Sequence, residues 1–184
     1  MSPILGIFAS QGRVASNSYE SIATATGTGS SGVITFSSIP STYKHIELRA
    51  IARNTGSSNE AIYLRFNGDT GANYSLHFMR GNGTDVVASS QINYNQAGLY
   101  WAMGMPFTTN VFGPNVTSIL DYADTNKFKT IRALDGFDNN GSGAIELISG
   151  AWRSTSAITS ITLTANSGVS FTTNTQFALY GIKG

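Results

Sequence analysis

The chain has 184 residues, of which 41% are hydrophobic and 11% charged, and its formal net charge is +1 at pH 7. This length supports one domain with a core of its own. A net charge so close to zero provides no field to steer nucleic acid or an anionic membrane, so neither is expected as a partner. The sequence has no cysteine, which excludes disulfides, thiolate metal sites and thiol catalysis. No apolar run approaches the roughly 20 residues that span a bilayer.

Residues 1–17 begin with a short apolar run that contains Ile4, Leu5, Ile7 and Phe8, and the first charge is Arg13. A secretory signal carries its basic residues before the apolar run, so the order here is the reverse. We predict instead an extended N-terminal arm, residues 1–17, that buries the four apolar side chains on a neighbouring subunit. Each buried side chain contributes about 1.5–3 kcal/mol before ordering costs.

Residues 18–184 are predicted to form a single all-β domain. Along residues 45–53, Ile46, Leu48, Ala50 and Ala52 share one face, and Ile51 is the one apolar residue on the other. Strands are predicted at residues 18–26, 33–37, 45–53, 61–66, 74–79, 116–122, 143–152, 158–164 and 175–182. Asn-Gly dipeptides at 67–68, 82–83 and 140–141 are typical of tight turns. Since helix patterns are nearly absent, we expect an antiparallel β-sandwich with a jelly-roll-like arrangement.

Residues 92–114 interrupt this alternation with a stretch rich in aromatic residues and methionine that carries no charge. One interpretation is a long crossover over the end of the sandwich whose aromatic side chains fill the core. The other is a contact surface for a ligand or another subunit, because interface cores are enriched in aromatics and methionine. The candidate contact residues are Tyr94, Tyr100, Trp101, Phe107 and Phe112.

Motifs for catalysis are weak, and we expect no enzyme activity, no catalytic residue, no metal and no cofactor. The G-x-G-x-x-G at residues 27–32 lies between two predicted strands, which favours a flexible hairpin loop over a dinucleotide site that needs a following helix. His45 and His77 lie on predicted strands and are interpreted as packing residues. The acidic stretch 135–140 lacks the EF-hand order and is interpreted as a polar loop rather than a calcium site.

Five segments together resemble a family of small structural proteins of tailed bacteriophages. They are SPILGIFAS (2–10), SYESIAT (18–24), FSSIPSTYKHIELR (36–49), LRFNGDTGANY (64–74) and FALYGIKG (177–184). The resemblance spans almost the whole chain, and its motifs are structural. It implies a jelly-roll-like domain and a location on the exterior of the virion, at the tail or on the capsid surface.

Three functions are open at this point. The first is a tail fibre or baseplate-tip component that presents a β domain for host attachment through surface polysaccharide. The second is a capsid decoration (cement) protein that stabilises the phage head. The third is a non-viral carbohydrate-binding module. The expected partners are other virion proteins and further copies of this chain, with a homotrimer expected by analogy.

Overall fold

A computed structural model describes residues 18–102 and 108–184, with the backbone alone for 99–102. The described residues form twelve strands and one 3-10 turn, Asn166–Gly168. The strands are β1 Tyr19–Thr26, β2 Val33–Phe36, β3 His45–Ala52, β4 Glu60–Phe66, β5 Tyr74–Gly81, β6 Val86–Tyr94, β7 Ala97–Ala102, β8 Gly113–Leu120, β9 Lys129–Asp138, β10 Gly143–Trp152, β11 Ile161–Ala165 and β12 Gln176–Ile182. In this part of the chain no helix is long and apolar enough to cross a membrane.

The strands form two antiparallel sheets that pack as a sandwich. The large sheet has the order β1-β12-β3-β8-β9-β10-β5-β6, and the small sheet has the order β2-β11-β4-β7. The sets β1-β12-β3-β8 and β2-β11-β4-β7 have the strand orders of the two four-stranded sheets of a jelly roll. The expected all-β, jelly-roll-like sandwich is therefore confirmed. Strands β9, β10, β5 and β6 then widen the large sheet beyond the jelly roll.

The core lies between the sheets and follows the period of two that strands impose. On β3, Ile46, Leu48, Ala50 and Ala52 are buried, whereas Ile51 is exposed, as predicted. On β4, the alternate apolar residues are likewise buried. An aromatic group joins the sheets where Trp152 of β10 lies 5.4 Å from Phe66 and 6.3 Å from Tyr74, measured between ring centroids.

The Asn-Gly dipeptides lie in turns, as predicted. Gly68, Gly83 and Gly141 all have positive φ, a backbone conformation that glycine adopts without a Cβ clash. Asn140 shares positive φ with Gly141, so the β9–β10 hairpin has the two-residue turn that suits twisted strands. The 82–83 turn joins β5 to β6. The 67–68 turn instead carries the chain from the small sheet to the large one.

Three strands were not predicted: β6, β7 and β9. The stretch 92–114, interpreted as one crossover or surface segment, contains the end of β6, all of β7 and the beginning of β8. Strand β9 is a central strand that pairs with both β8 and β10. The predicted arm, residues 1–17, lies outside the described residues, and its boundary stays a prediction.

Candidate interaction surface

The candidate contact residues are divided between the two sheets. Tyr94 ends β6 in the large sheet, and its side chain is 39% exposed. Tyr100 and Trp101 lie on β7 of the small sheet, where the backbone alone is described. Phe112 is half-buried just before β8. Phe107 and the arm residues Ile4, Leu5, Ile7 and Phe8 lie outside the described residues.

The outer face of the large sheet, directed away from the small sheet, carries a row of exposed apolar side chains. Strand register places Val116 opposite Leu134, Leu134 opposite Leu147, and Leu147 opposite Met79. The row continues to Ala88 on the last strand, β6. Leu134 and Leu147 are each 50% exposed and Met79 is 52% exposed. We call these five residues, which lie on five adjacent strands, the apolar row.

A second line of residues lies beside the apolar row on the same face. Ile145 of β10 is 60% exposed and has Gly136 on one side and Gly81 on the other. Because the glycines have no side chains, Ile145 stands between two shallow grooves. One groove, of about 400 Å³, extends toward Val116, and the other, of about 300 Å³, extends toward Val86. The aliphatic side chains therefore form a ridge at Ile145 with a groove on each side, and side chains of a partner could fill these grooves.

A polar row borders the apolar row on its other side. It has one residue on each of five adjacent strands, and each residue pairs with the next across the sheet. In order from β8 through β9, β10 and β5 to β6, they are Ser118, Arg132, Ser149, His77 and Ser90. The outer face is therefore divided into a polar zone and an apolar zone. Such zoning is typical of an interface with an apolar centre and a polar rim.

An aromatic and charged cluster closes the apolar row at β3. The Arg49 guanidinium lies over the rings of Tyr19 and Tyr180, 5.2 and 5.0 Å from their centroids. Its Nε donates to the Glu47 carboxylate at 2.8 Å, and this bond raises the pKa of Arg49. These contacts orient the Arg49 side chain. Because Arg49 pairs with Val116 across the strands, it forms a polar boundary at the β3 end of the apolar row.

Directly beneath the apolar zone, the inner face carries a row of polar residues, of which Asn115, Asp135 and Glu146 are buried and Arg80 is half-buried. Asn115, Asp135, Glu146 and Arg80 are opposite one another across β8, β9, β10 and β5. The Arg80 guanidinium pairs with the fully buried Glu146 carboxylate. Asn115 donates to Asp135 Oδ2 at 3.3 Å. At this end of the large sheet, therefore, the usual pattern is partly inverted, with polar groups inside and aliphatic groups outside.

The loop at residues 27–32 connects strands of different sheets, so the prediction of a hairpin was wrong. A Cβ at Gly27 would lie 2.1 Å from the Thr172 carbonyl oxygen, and one at Gly32 would lie 2.0 Å from that of Val169. Both distances are shorter than real Cβ contacts allow. Close backbone packing therefore explains these two glycines of the G-x-G-x-x-G motif.

The histidines and acidic residues have structural partners. His45 Nδ1 accepts a hydrogen bond from the Asp121 backbone N–H at 2.9 Å. His77 is exposed in the polar row between Ser149 and Ser90. Asp69 accepts a hydrogen bond from Trp152 Nε1 at 2.7 Å, and this bond holds the pKa of Asp69 below its usual range.

The stretch 135–140 begins in the interior, at Asp135, and ends in the turn between β9 and β10. Asp135 is buried in the inner polar row, whereas Asp138 is exposed and accepts from the Asn140 backbone N–H at 2.8 Å. Within residues 18–102 and 108–184, no group of three or more histidine, cysteine or acidic side chains is placed to hold a metal ion.

The fold and surface together define a jelly-roll sandwich with an open, partly apolar sheet face. No protein-family model matches the chain, and no curated protein is significantly similar to it. A solved structure with some likeness is the galectin LEC-6 of Caenorhabditis elegans. It has a TM-score of 0.37 and 12% identity, over 86% of this chain and 95% of that one. Likeness of this size is no argument for a shared function.

Sequence reasoning missed the apolar zone. Met79 lies in the predicted strand 74–79, on the face opposite the buried Tyr74 and Leu76. Leu134 lies on β9, which was not predicted, and the register that joins it to Leu147 and Met79 is a long-range property. The four exposed aliphatic residues of the row become a surface only when β8, β9, β10 and β5 pair in this order.

Proposed function

We propose that this protein is a non-enzymatic structural component of a tailed-bacteriophage particle and that it assembles through the outer face of its large sheet. The observation that carries the proposal is the apolar zone, formed by the apolar row and Ile145. A contiguous exposed apolar patch that is bordered by polar residues is a common feature of interaction sites. The setting in a virion rests on the resemblance of the five sequence segments.

The chemistry of the apolar zone favours protein contact over glycan contact. Its exposed side chains are aliphatic: Val116, Leu134, Leu147, Met79 and Ile145. Glycan recognition depends on a few placed polar groups within a pocket that fix ligand orientation, and the described side chains of this zone provide none. Burying such a zone against a neighbouring subunit removes apolar area from water, at about 25 cal/mol per Å².

Within the particle, two positions are consistent with this assembly role. A tail fibre or baseplate tip would use the face to join neighbouring tail proteins, and a capsid decoration protein would use it on the shell lattice. In either position, the predicted arm, residues 1–17, would add a second contact to a neighbouring subunit. The number of copies per particle distinguishes a position at the tail from one on the capsid.

Quantitative mass spectrometry of the purified particle encoded by the same genome tests the proposal. We expect the protein to be present in a fixed number of copies. A number close to that of the major shell protein assigns it to the capsid surface, and a small multiple of three or six assigns it to the tail. Absence from purified particles, while the protein accumulates in the infected cell, would refute the proposal.

Host attachment at the tail tip is a second candidate, and exposed Tyr94 is the observation that favours it. An exposed aromatic ring offers a face on which a sugar can stack. In this case Tyr94→Ala would lower adsorption to host cells, while leaving the copy number per particle unchanged. If particles with the wild-type protein and particles with Tyr94→Ala adsorb equally well, Tyr94 has no role in host recognition.

A further inference from the structure

We infer that two copies of this chain pair edge to edge through β6, which joins their large sheets into one continuous sheet. This contact is distinct from the face contact of the proposed function and does not depend on where the protein lies in a particle. It deepens the assembly role by naming a partner, a second copy, and the strand that binds it.

Strand β6, Val86–Tyr94, is an open edge. Among the described strands it pairs with β5 alone and is last in the order of the large sheet. Its nine residues include no charged residue, no proline and no glycine, and eight of them are exposed. Val86 is 74% exposed and Ile92 is 69% exposed.

Natural edge strands are usually protected from pairing by charges, proline, bulges or short length. The opposite edge of the large sheet, β1, has Glu20, which pairs with Lys183, and a register shift between Ser21 and Ala23. Strand β6 has a single protection, a register shift near its end, where Asn93 has positive φ. The stretch from Val86 to Gln91 therefore offers a regular, uncharged edge to another strand.

A second copy of this chain is favoured as the partner of β6. Two β6 strands can pair without placing like charges opposite each other, and equivalent side chains of the two copies then lie on the same face. Antiparallel pairing about Ala88 places Ala88 opposite its own equivalent and Val86 opposite Ser90. Residues opposite each other in an antiparallel pair lie on the same face. The apolar row then runs unbroken from Leu134 through Met79 and Ala88 into the Ala88 and Met79 of the second copy.

This arrangement has twofold symmetry, because each copy contributes the same surface. It therefore predicts a dimer with twice the 19.5 kDa mass of one chain. The homotrimer expected by analogy needs a contact between two different surfaces. The mass in solution distinguishes these two arrangements.

The test measures mass by sedimentation for the wild type, Ala88→Lys and Ser149→Lys. Lysine at residue 88 places two like charges opposite each other at the twofold axis, so we expect at least tenfold weaker dimerisation. Ser149 is exposed on β10 of the same face, and lysine there should leave the dimer intact. Thermal unfolding measured by circular dichroism checks that both variants are folded.

A second experiment uses the absence of cysteine from the natural chain. Opposite residues of an antiparallel pair have Cα atoms about 4.5–5.5 Å apart, within the range that a disulfide spans. Ala88→Cys should therefore form a covalent dimer on mild oxidation, and Ser149→Cys should remain monomeric under denaturing electrophoresis. Equal cross-linking of the two variants would overturn the proposed pairing.

The outcomes separate this inference from the proposed function. Leu134→Lys together with Leu147→Lys should leave β6 pairing intact, since these residues lie on the face and not at the edge. A dimer lost in that double variant and kept in Ala88→Lys would assign the contact to the sheet face and refute edge pairing. A wild type that is monomeric at its highest soluble concentration would also refute it, while leaving binding to other virion proteins untouched.

Discussion

Leu134 and Leu147 lie opposite each other on neighbouring strands β9 and β10, and half of each side chain is exposed to solvent. Paired aliphatic side chains on a solvent-facing sheet add little to the stability of the isolated chain, because much of their surface stays in water. A partner that covers them, as we propose, would account for this placement. The assembly role rests on this relationship and on its extension to Val116 and Met79.

Polar replacement of the pair should affect association and not folding. We expect Leu134→Ser with Leu147→Ser to change the free energy of unfolding by less than about 1 kcal/mol, as for most exposed sites. The matched control is Ile148→Ala on the same strand, where the side chain is buried. Its loss should cost about 2–5 kcal/mol. Urea denaturation of the three proteins measures both effects, and an equal cost for both changes would place the leucines in the core.

The pair of half-buried Arg80 and fully buried Glu146 should be sensitive to the loss of the arginine. Removing Arg80 leaves the buried Glu146 carboxylate without this charge partner, and an uncompensated buried charge costs about 3–5 kcal/mol. We therefore expect Arg80→Ala to lower the free energy of unfolding by several kcal/mol. The exposed pair of Glu20 and Lys183 provides the comparison, and Glu20→Ala should cost far less, because solvent screens an exposed ion pair. Similar losses in the two variants would contradict a buried role for Glu146.

Lys129 fixes the loop between β8 and β9. Its fully buried Nζ donates to the carbonyl oxygens of Lys127 at 2.8 Å and Thr155 at 3.1 Å, and also to that of Asp124. Burial lowers the pKa of this ammonium. Lys129→Met removes the charged donor that these carbonyl groups share, and a hydrogen bond to a charged group contributes about 1.5–3 kcal/mol.

The neighbouring Lys127 is the control for that change, because its side chain is 55% exposed. Lys127→Met should reduce the melting temperature much less than Lys129→Met. Melting temperatures from calorimetry measure the difference. If the two variants melt together, the Lys129 contacts contribute nothing to stability.

Acid should destabilise the protein in a defined pH range. Hydrogen bonds from Lys127 and Lys44 lower the pKa of Asp121 to about 2, below the usual value of about 4. Between these values the unfolded chain binds the proton before the folded one does, so stability falls as the pH falls from about 4 to about 2. Asp69, whose pKa is lowered by Trp152, acts in the same direction.

Asp121→Asn should flatten this dependence, because asparagine does not titrate. The variant is expected to be less stable than the wild type at pH 7 and to lose less stability between pH 4 and pH 2. Chemical denaturation at pH 7, 4 and 2 provides the comparison. Parallel curves for the two proteins would show that Asp121 has the same pKa in the folded and unfolded states.

Much of the sandwich could be predicted from the sequence because nine strands carry local signals. The β3 face was predicted residue by residue, since Ile46, Leu48, Ala50 and Ala52 alternate with polar residues. The Asn-Gly turns were predicted for the same local reason. Strand β6 lacks this alternation because it lies at an exposed edge, and β9 lacks it because Leu134 faces outward while Asp135 faces inward.

The interaction surface could not be predicted from local pattern. In the sequence Ile145-Glu146-Leu147, alternation alone would place the two aliphatic residues in the core and the glutamate outside. The structure has the opposite arrangement, since Arg80 lies across from Glu146 on β5 and compensates its charge. A shift of register by one residue exchanges the two faces of a strand, so the surface depends on pairings far apart in the chain.

We propose that this protein joins a phage particle through the apolar face of its large sheet. The most direct measurement counts its copies per purified particle for the wild type, for Leu134→Lys with Leu147→Lys, and for the control Ser118→Lys with Ser149→Lys on the polar row. We predict full incorporation of the wild type and the control and at least tenfold fewer copies of the folded leucine variant. Equal copy numbers for all three proteins would contradict assembly through this face.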